Sequence, residues 1–340
     1  MVGGMEEQVF NIIDALPDGA MIIDADGLIL ATNAAAREVL QFELKGLTAT
    51  TVIRNSAFIA AMASVRSSAH SATFEFEIHS RPPRQISAFV SKLGDGGNLL
   101  LILRDLTREQ ALEKMRSDFV ANASHEMRTP LASIMGAIET LQGPAKSDPK
   151  AREKFLSSML GQAQRMKRLI DDLLTLSRIE LNAHVRPSAK VSLLQIAHQA
   201  KGNLQHLANE LSAEVSVEGQ GDMLVAGDSD ELLQVAQNLL ENAIKYGGAG
   251  GRIKIICTAD TNEATLAVQD FGRGIPEIHI PRLTERFYRV STQESRARGG
   301  TGLGLAIVKH ILLRHRSKLH IQSQESVGSV FSFTIPIYRS

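Results

Sequence analysis

The sequence predicts a multidomain α+β chain in three parts, and three patterns carry that prediction. Up to about residue 103, short apolar runs alternate with turn residues, as in an antiparallel sheet. Between 105 and 182, apolar residues recur in steps of three and four along two long helices. From 190 to 340, helix and strand patterns are interspersed, and a glycine-rich stretch passes directly into an apolar helix. The divisions are placed at 8–106, 107–185 and 190–340, because 340 residues exceed one typical domain.

Composition narrows the classes. Formal net charge is zero, which argues against nucleic-acid binding. Aromatic residues make up 4% with no Trp, which favours aliphatic helix packing. The single cysteine, Cys257, lies in an apolar strand-like run and reads as a core residue. One cysteine excludes a disulfide within the chain and fits a reducing compartment. No run of 18 or more apolar residues exists, and no basic-then-apolar leader opens the chain. The expectation is a cytoplasmic protein, or the cytoplasmic portion of an inner-membrane protein whose N-terminal anchor has been removed.

In the first part, strands Ala20–Ile23 and Leu28–Ala31 flank Asp24-Ala-Asp-Gly27, a hairpin signal. A short helix Ala34–Leu40 follows, then strands Ala72–Ile78, Gln85–Leu93 and Asn98–Leu103. Five antiparallel strands with small helices on one side are expected. The histidines here, His70 and His79, lack metal or haem spacing, so a packing or dimerisation module without a cofactor is expected.

The second part opens with a helix from Asp105 to Leu141, its seam running from Leu112 and Met115 through Ala123 and Met127 to Ile138 and Leu141. At about 100° per residue, His125 falls opposite the line through Ala123 and Met127, facing solvent or a docking partner. Thr129 lies one turn on and Glu126 adjoins it, so a nucleophile, a carboxylate and a hydroxyl share one surface. Alone, such a histidine is an ordinary surface residue, and Thr129-Pro130 fits the N-cap and first turn of a new helix. In a continuous helix, Pro130 would instead remove the bond to the Glu126 carbonyl and kink the axis beside His125. Residues 142–149 break the helix, and a second one runs from Ala151 to Asn182 with Leu156, Met166, Ile170 and Leu176 at seam spacing. One hairpin cannot bury two such seams, so a homodimeric four-helix bundle is expected. Arg186-Pro187-Ser-Ala reads as a linker.

The third part has helices at Leu193–Asn209, Asp230–Tyr246 and Leu303–Arg314, and strands at Ala213–Glu218, Gly251–Thr258, Ala264–Gln269, Lys318–Ser323 and Val330–Ile335. An α/β sandwich follows. Three of its segments carry chemistry. Asn238 and Asn242 stand one turn apart on a helix that ends in Lys245 and Tyr246; amide oxygens suit Mg²⁺ beside phosphates, and the ammonium offsets phosphate charge. Asp270-Phe-Gly-Arg-Gly274 follows a strand; its carboxylate can accept from an exocyclic amine such as adenine's, and Gly272 and Gly274 allow close backbone approach. In Gly300-Thr-Gly-Leu-Gly304 the glycines open a helix, whose free N–H groups make an anion site for polyphosphate. It is neither a P-loop nor a dinucleotide fingerprint. Between the last two segments, Pro276–Arg298 is polar and reads as a lid over nucleotide.

Together the segments "NLLENAIKY", "DFGRG", "ERFYRV" and "GGTGLGLAI" resemble the N, G1, F and G2 boxes of the sensor histidine kinases, and "SHEMRTPL" resembles their H box. "LPDGAMIIDADGLILATNAAAREVL" resembles the opening of a PAS sensor domain. The wording around the lid and the hairpin loop looks closest to phosphate-regulon sensor kinases, a group that commonly carries a membrane anchor before the PAS domain. The resemblance implies ATP and Mg²⁺ as ligands, a homodimer, and a response-regulator receiver domain as partner. It implies that His125 is phosphorylated, with Glu126 as acid/base partner and Thr129 assisting water in a phosphatase reaction. Asn238 and Asn242 would hold Mg²⁺, Lys245 and Arg289 would contact phosphates, Tyr246 would stack near the base and Asp270 would read adenine. Gly272, Gly274, Gly300, Thr301, Gly302, Leu303 and Gly304 would shape the pocket. Phosphate-starvation signalling is the process implied. Two other classes compete: a conformational ATPase of the Hsp90, gyrase or MutL kind, which needs transducer domains after the nucleotide domain, and a PAS scaffold with a degenerate nucleotide domain. Intact box residues argue against the second.

Overall fold

The computed structural model describes residues 11–41, 44–67, 70–80, 82–94, 96–182, 184–221, 223–247, 250–291 and 300–338. They fall into two units, one up to Val120 and one from Ala121.

The first unit is built on five strands, β1 (Gly19–Ile23), β2 (Ile29–Thr32), β3 (Ser71–Ile78), β4 (Arg84–Leu93) and β5 (Asn98–Asp105). They form the expected antiparallel sheet, in the order β2-β1-β5-β4-β3. Helices α1 (Ala34–Leu40), α2 (Ala49–Val52) and α3 (Ser56–Ser67) lie between β2 and β3. Period-2 alternation sends Leu99, Leu101 and Leu103 of β5 into the core, where Phe58 and Met62 of α3 meet them. Asn33 is the polar pin of this core. Its Oδ1 accepts from the N–H groups of Ala20 (2.9 Å) and Ala36 (2.8 Å), which caps α1 and ties it to β1. Its Nδ2 donates to the carbonyls of Ile13, Leu16 and Asp18.

The second unit carries a helical hairpin. Helix α4 (Thr107–Gln142) passes through Pro130 without interruption, so Thr129-Pro130 starts no new helix. Helix α5 (Pro149–Leu181) is capped by Asp148, whose side chain accepts from the N–H groups of Lys150 and Ala151, with Pro149 in the first turn. The expected seam is only partly buried. Leu131 and Ile138 on α4 and Leu156 and Ile170 on α5 are exposed, while Leu169, Leu176 and Ile179 of α5 are buried. Leu176 apart, the buried set lies outside the expected line, because α5 turns a second apolar face against a helix of the following sandwich.

That sandwich pairs a sheet, β7 (Glu214–Glu218), β9 (Arg252–Ala259), β10 (Glu263–Asp270), β11 (His320–Gln324) and β12 (Gly328–Pro336), with helices α6 (Leu193–Glu210), α7 (Ser229–Tyr246) and α8 (Gly304–Arg314). The sheet order is β11-β12-β10-β9-β7, antiparallel except for β7 beside β9. It is α8 that packs on α5. The expected linker runs straight into a strand: its last residue, Ala189, opens β6 (Ala189–Ser192), which pairs with β8 (Leu224–Gly227). Four residues of mixed polarity carry no periodic signal, so only pairing reveals them. Asp228 caps α7 by accepting from Asp230 and Glu231, and its own N–H donates to Nε2 of the buried His315 (3.1 Å). Cys257 is buried, and burial pushes its thiol up to about 11, consistent with a core residue. Among the described residues, no helix is long and apolar enough to cross a membrane.

Replacing Asn33 by Ala should leave two N–H groups and three carbonyls without their partner. Each buried loss costs about 1–3 kcal/mol before water enters, so a net destabilisation of roughly 3 kcal/mol is expected. Urea unfolding of the sheet domain, with hydrogen exchange at Ala20 and Ala36, measures it; unchanged protection at both amides would refute the pinning role.

Candidate nucleotide and phosphotransfer site

A cavity of about 530 Å³ opens at the edge of the sandwich. Helix α7 contributes Asn238, Asn242, Lys245 and Tyr246 to its wall, four of the residues singled out in the sequence. They converge because positions 238, 242 and 245–246 fall on one face of a helix whose other face buries Leu232, Val235, Leu239 and Ala243. The amide nitrogen of Asn238 is buried without a hydrogen-bond partner among the described residues. Lys245 Nζ lies 2.5 Å from Glu241 Oε1, one turn back.

Asp270 ends β10 at the cavity. Burial raises its carboxyl above the ordinary value, while hydrogen bonds from the Gly272 N–H (2.9 Å) and from Ser329 pull it back down. Gly274 lines the cavity at φ +68°, and a Cβ there would sit 2.0 Å from the Gln324 carbonyl oxygen, so only glycine fits. Gly272 lies behind the wall instead, against the backbone of Tyr246 and Gly247.

Gly300, Thr301, Gly302 and Gly304 line the opposite side. Gly302 adopts φ +75° directly against the Phe287 backbone, whose N–H donates to the Gly302 carbonyl (2.8 Å). Leu303 was grouped with the pocket residues, but its side chain is fully buried and does not line the cavity. It anchors the loop: its N–H donates to Thr301 Oγ1 (3.3 Å) as α8 begins. No side chain caps α8, so its first turn offers N–H groups towards an anion. Of the expected lid, residues 277–282 form a short 3₁₀ helix (Glu277–Arg282), and 292–298 lie outside the described residues.

His125 is exposed on α4 and does not line the cavity; neither do Glu126 and Thr129. Thr129 Oγ1 donates to the His125 carbonyl (3.2 Å). The link to the cavity is Arg289, which lines it and donates through Nη2 to Glu126 Oε2 (3.0 Å). The same oxygen accepts from Arg165 Nη2 of α5 (3.0 Å). Arg289 is thus engaged with a carboxylate on its outer edge, and its Nε is buried without a partner.

Helix α5 supplies a further wall that the sequence motifs do not mark. Arg168 and Asp172 line the cavity, and Thr301 Oγ1 donates to Asp172 Oδ2 (2.7 Å). Burial raises the Asp172 carboxyl, opposed mainly by the Thr301 hydrogen bond. Arg165, Arg168 and Asp172 stand at i, i+3 and i+7, a polar stripe on one helical face. That spacing was the available signal.

A PAS-like sheet domain, a helical hairpin carrying an exposed histidine and a sandwich with an amide-, glycine- and cation-lined cavity define the class of ATP-dependent protein-histidine kinases. Residues 7–106 match the PAS fold, 115–182 the His Kinase A (phospho-acceptor) domain, and 227–339 the histidine kinase-, DNA gyrase B-, and HSP90-like ATPase. The chain is 36% identical over 330 residues to the phosphate regulon sensor protein PhoR of Pseudomonas aeruginosa, covering 94% of this chain and 72% of that one. It is 30% identical over 257 residues to the sensor protein SrrB of Staphylococcus aureus, covering 74% of this chain and 43% of the relative. The histidine kinase AdeS of Acinetobacter baumannii has the same fold over 63% of this chain and 98% of its own (TM-score 0.51, 24% identity). The chain belongs to the sensor histidine kinases of two-component systems.

Asp172 yields a pH prediction. A carboxyl whose pKa is raised by burial holds its proton more tightly in the folded than in the unfolded state. Its contribution to stability is full below the ordinary value of 3.8 and is lost as pH rises through the raised folded value. Asp172→Asn keeps an oxygen acceptor for Thr301 and removes the charge, so it should raise the melting temperature at pH 7 and remove that slope. A lower melting temperature at pH 7 would mean that the charge stabilises.

Proposed function

We propose that the chain autophosphorylates on His125 with ATP and Mg²⁺ and passes the phosphoryl group to an aspartate of a response-regulator receiver domain. The observation that carries this is the convergence of three separated segments on one cavity, with Arg289 joining that cavity to the helix of His125. The residues fit a nucleotide: an uncapped helix start for phosphates, cations at Lys245 and Arg289, and a buried Asp270 for an exocyclic amine. The unpartnered Asn238 amide supports a polar ligand at that wall. Asn238 and Asn242, side by side at the cavity, are together with the phosphates the Mg²⁺ ligands of this reading.

In the reaction, His125 Nε2 forms a bond to the γ-phosphorus as the bond to the β,γ-bridging oxygen breaks, and ADP leaves with that oxygen. Glu126 acts as acid/base partner of the imidazole, which requires exchange of its Arg165 and Arg289 contacts. Tyr246 stacks near the base, while Gly272 and Leu303 act from behind the wall as packing groups. The division into a PAS sensor (8–106), a dimerisation and phosphotransfer hairpin (107–185) and an ATP-binding domain (190–340) is part of the proposal. The exposed apolar line of Leu131, Met135 and Ile138 on α4, with Leu156 and Leu160 on α5, supports a homodimer. Thr129, one turn from His125, serves water attack in a phosphatase reaction. Likeness to a phosphate regulon sensor supports phosphate-limitation signalling on the cytoplasmic side.

The test is labelling of the full chain with γ-labelled ATP and Mg²⁺, wild type against His125→Ala. An acid-labile, base-stable label absent from the mutant is expected, on a species that sediments as a dimer. Label persisting in the mutant sinks the assignment, and monomeric sedimentation sinks the dimer. With a phosphorylated regulator, Thr129→Ala should slow dephosphorylation at least tenfold while keeping autophosphorylation; equal rates would remove the phosphatase role. Loss of phosphate-limitation gene expression in a strain lacking the gene tests the signalling role, and normal expression overturns it.

A further inference from the structure

We infer that Arg168, on hairpin helix α5, is a nucleotide-binding residue that contacts the outer phosphates of ATP from the hairpin side of the cavity. The inference deepens the nucleotide reading above and rests on it. Arg168 lines the cavity although it belongs to the hairpin and not to the sandwich. Its neighbours on the same helical face fix the ends of the stripe. Arg165, three residues before it, holds Glu126 beside His125. Asp172, four residues after it, accepts from Thr301 in the glycine-rich loop. At 1.5 Å rise per residue, these ends are about 10 Å apart along α5, and Arg168 lies between them, on the route from the glycine loop to His125.

Two other cations of the wall, Lys245 and Arg289, are already engaged with carboxylates. Lys245 is bound to Glu241, and Arg289 to Glu126. Arg168 makes no hydrogen bond or close ion pair with any described residue, and its side chain is exposed. Its charge draws the Asp172 carboxyl downward against burial. An exposed guanidinium lining the same 530 Å³ cavity as the glycine-rich loop is suited to bidentate phosphate binding. It acts like an arginine finger supplied by a second domain, here from the same chain. A lysine at this place would supply charge but not the fork.

The experiment is isothermal titration of the full chain, in Mg²⁺ buffer, with a non-hydrolysable ATP analogue, with ADP and with adenosine. Arg168→Ala should weaken the ATP analogue about tenfold, one charge-assisted bond's worth, ADP by less, and adenosine not at all. Arg168→Lys should recover part of the loss, and Arg168→Glu should deepen it. Lys167→Ala, an exposed neighbour on another face of α5, should change nothing. Unchanged binding of the ATP analogue in Arg168→Ala overturns the assignment. So does an equal loss for adenosine, which would mark a damaged pocket. A wild-type chain that binds none of the three ligands overturns the nucleotide reading itself and this inference with it.

Discussion

One carboxylate oxygen, Glu126 Oε2, ties the second unit together. It accepts from Arg165 of α5 and from Arg289 of the ATP-binding domain, both at 3.0 Å, while itself standing on α4. The three side chains are 14%, 13% and 5% exposed, so much of their hydration is gone. Charges so placed are tolerable only while paired, and removing one partner of such a set typically costs about 3–5 kcal/mol. The helix of the phospho-acceptor candidate and the nucleotide domain are therefore coupled through a contact that is expensive to break and simple to exchange, since phosphate offers guanidinium the same geometry as carboxylate.

Beside this anchor, α4 is weakened by design of its sequence. Pro130 gives no N–H to the Glu126 carbonyl, and Thr129 spends its hydroxyl on the His125 carbonyl. Back-bonding of that kind loosens and bends helices. One intrahelical bond is thus missing and the neighbouring carbonyl is shared with a hydroxyl at the point where His125 and Glu126 project. A local bend there would swing both side chains while the flanking turns stay packed.

Much of this was legible in the sequence where a period was strong. The sheet strands, the two long helices and the α7 face were readable because burial repeats every two or about 3.6 residues over long windows. Helix α3 carries Phe58, Ala61, Met62 and Val65 at helical spacing and was folded into the general expectation of small helices rather than located. Strands β6 and β8 were not legible, since four residues each define no period and their pairing joins distant positions, from Ser192 with Leu224 to Ala189 with Gly227. The α5 wall escaped for another reason. A stripe of Arg165, Arg168 and Asp172 has the composition of a solvated helix face, and only tertiary contact with Thr301 and Glu126 distinguishes it. Leu303 and Gly272 erred the other way: a motif names every residue in its run, while only some of them reach the wall.

The cavity's polar groups share a further feature. Lys245 faces Glu241, Arg289 faces Glu126 and Thr301 faces Asp172, so these three groups each already have a carboxylate, and Arg168 is the exception. At those three, polyphosphate binding replaces partners instead of adding them. The gain is then the difference between two similar sets of charge-assisted bonds, not their sum, which keeps net affinity modest even with many contacts. Preorganisation is the return: the cations stand oriented before nucleotide enters, held by acids that can take them back when ADP leaves. A kinase that must release its product and reuse its phospho-acceptor helix for a second partner is served by such a balance. It also explains why acidic residues are concentrated around a site whose ligand is itself an anion.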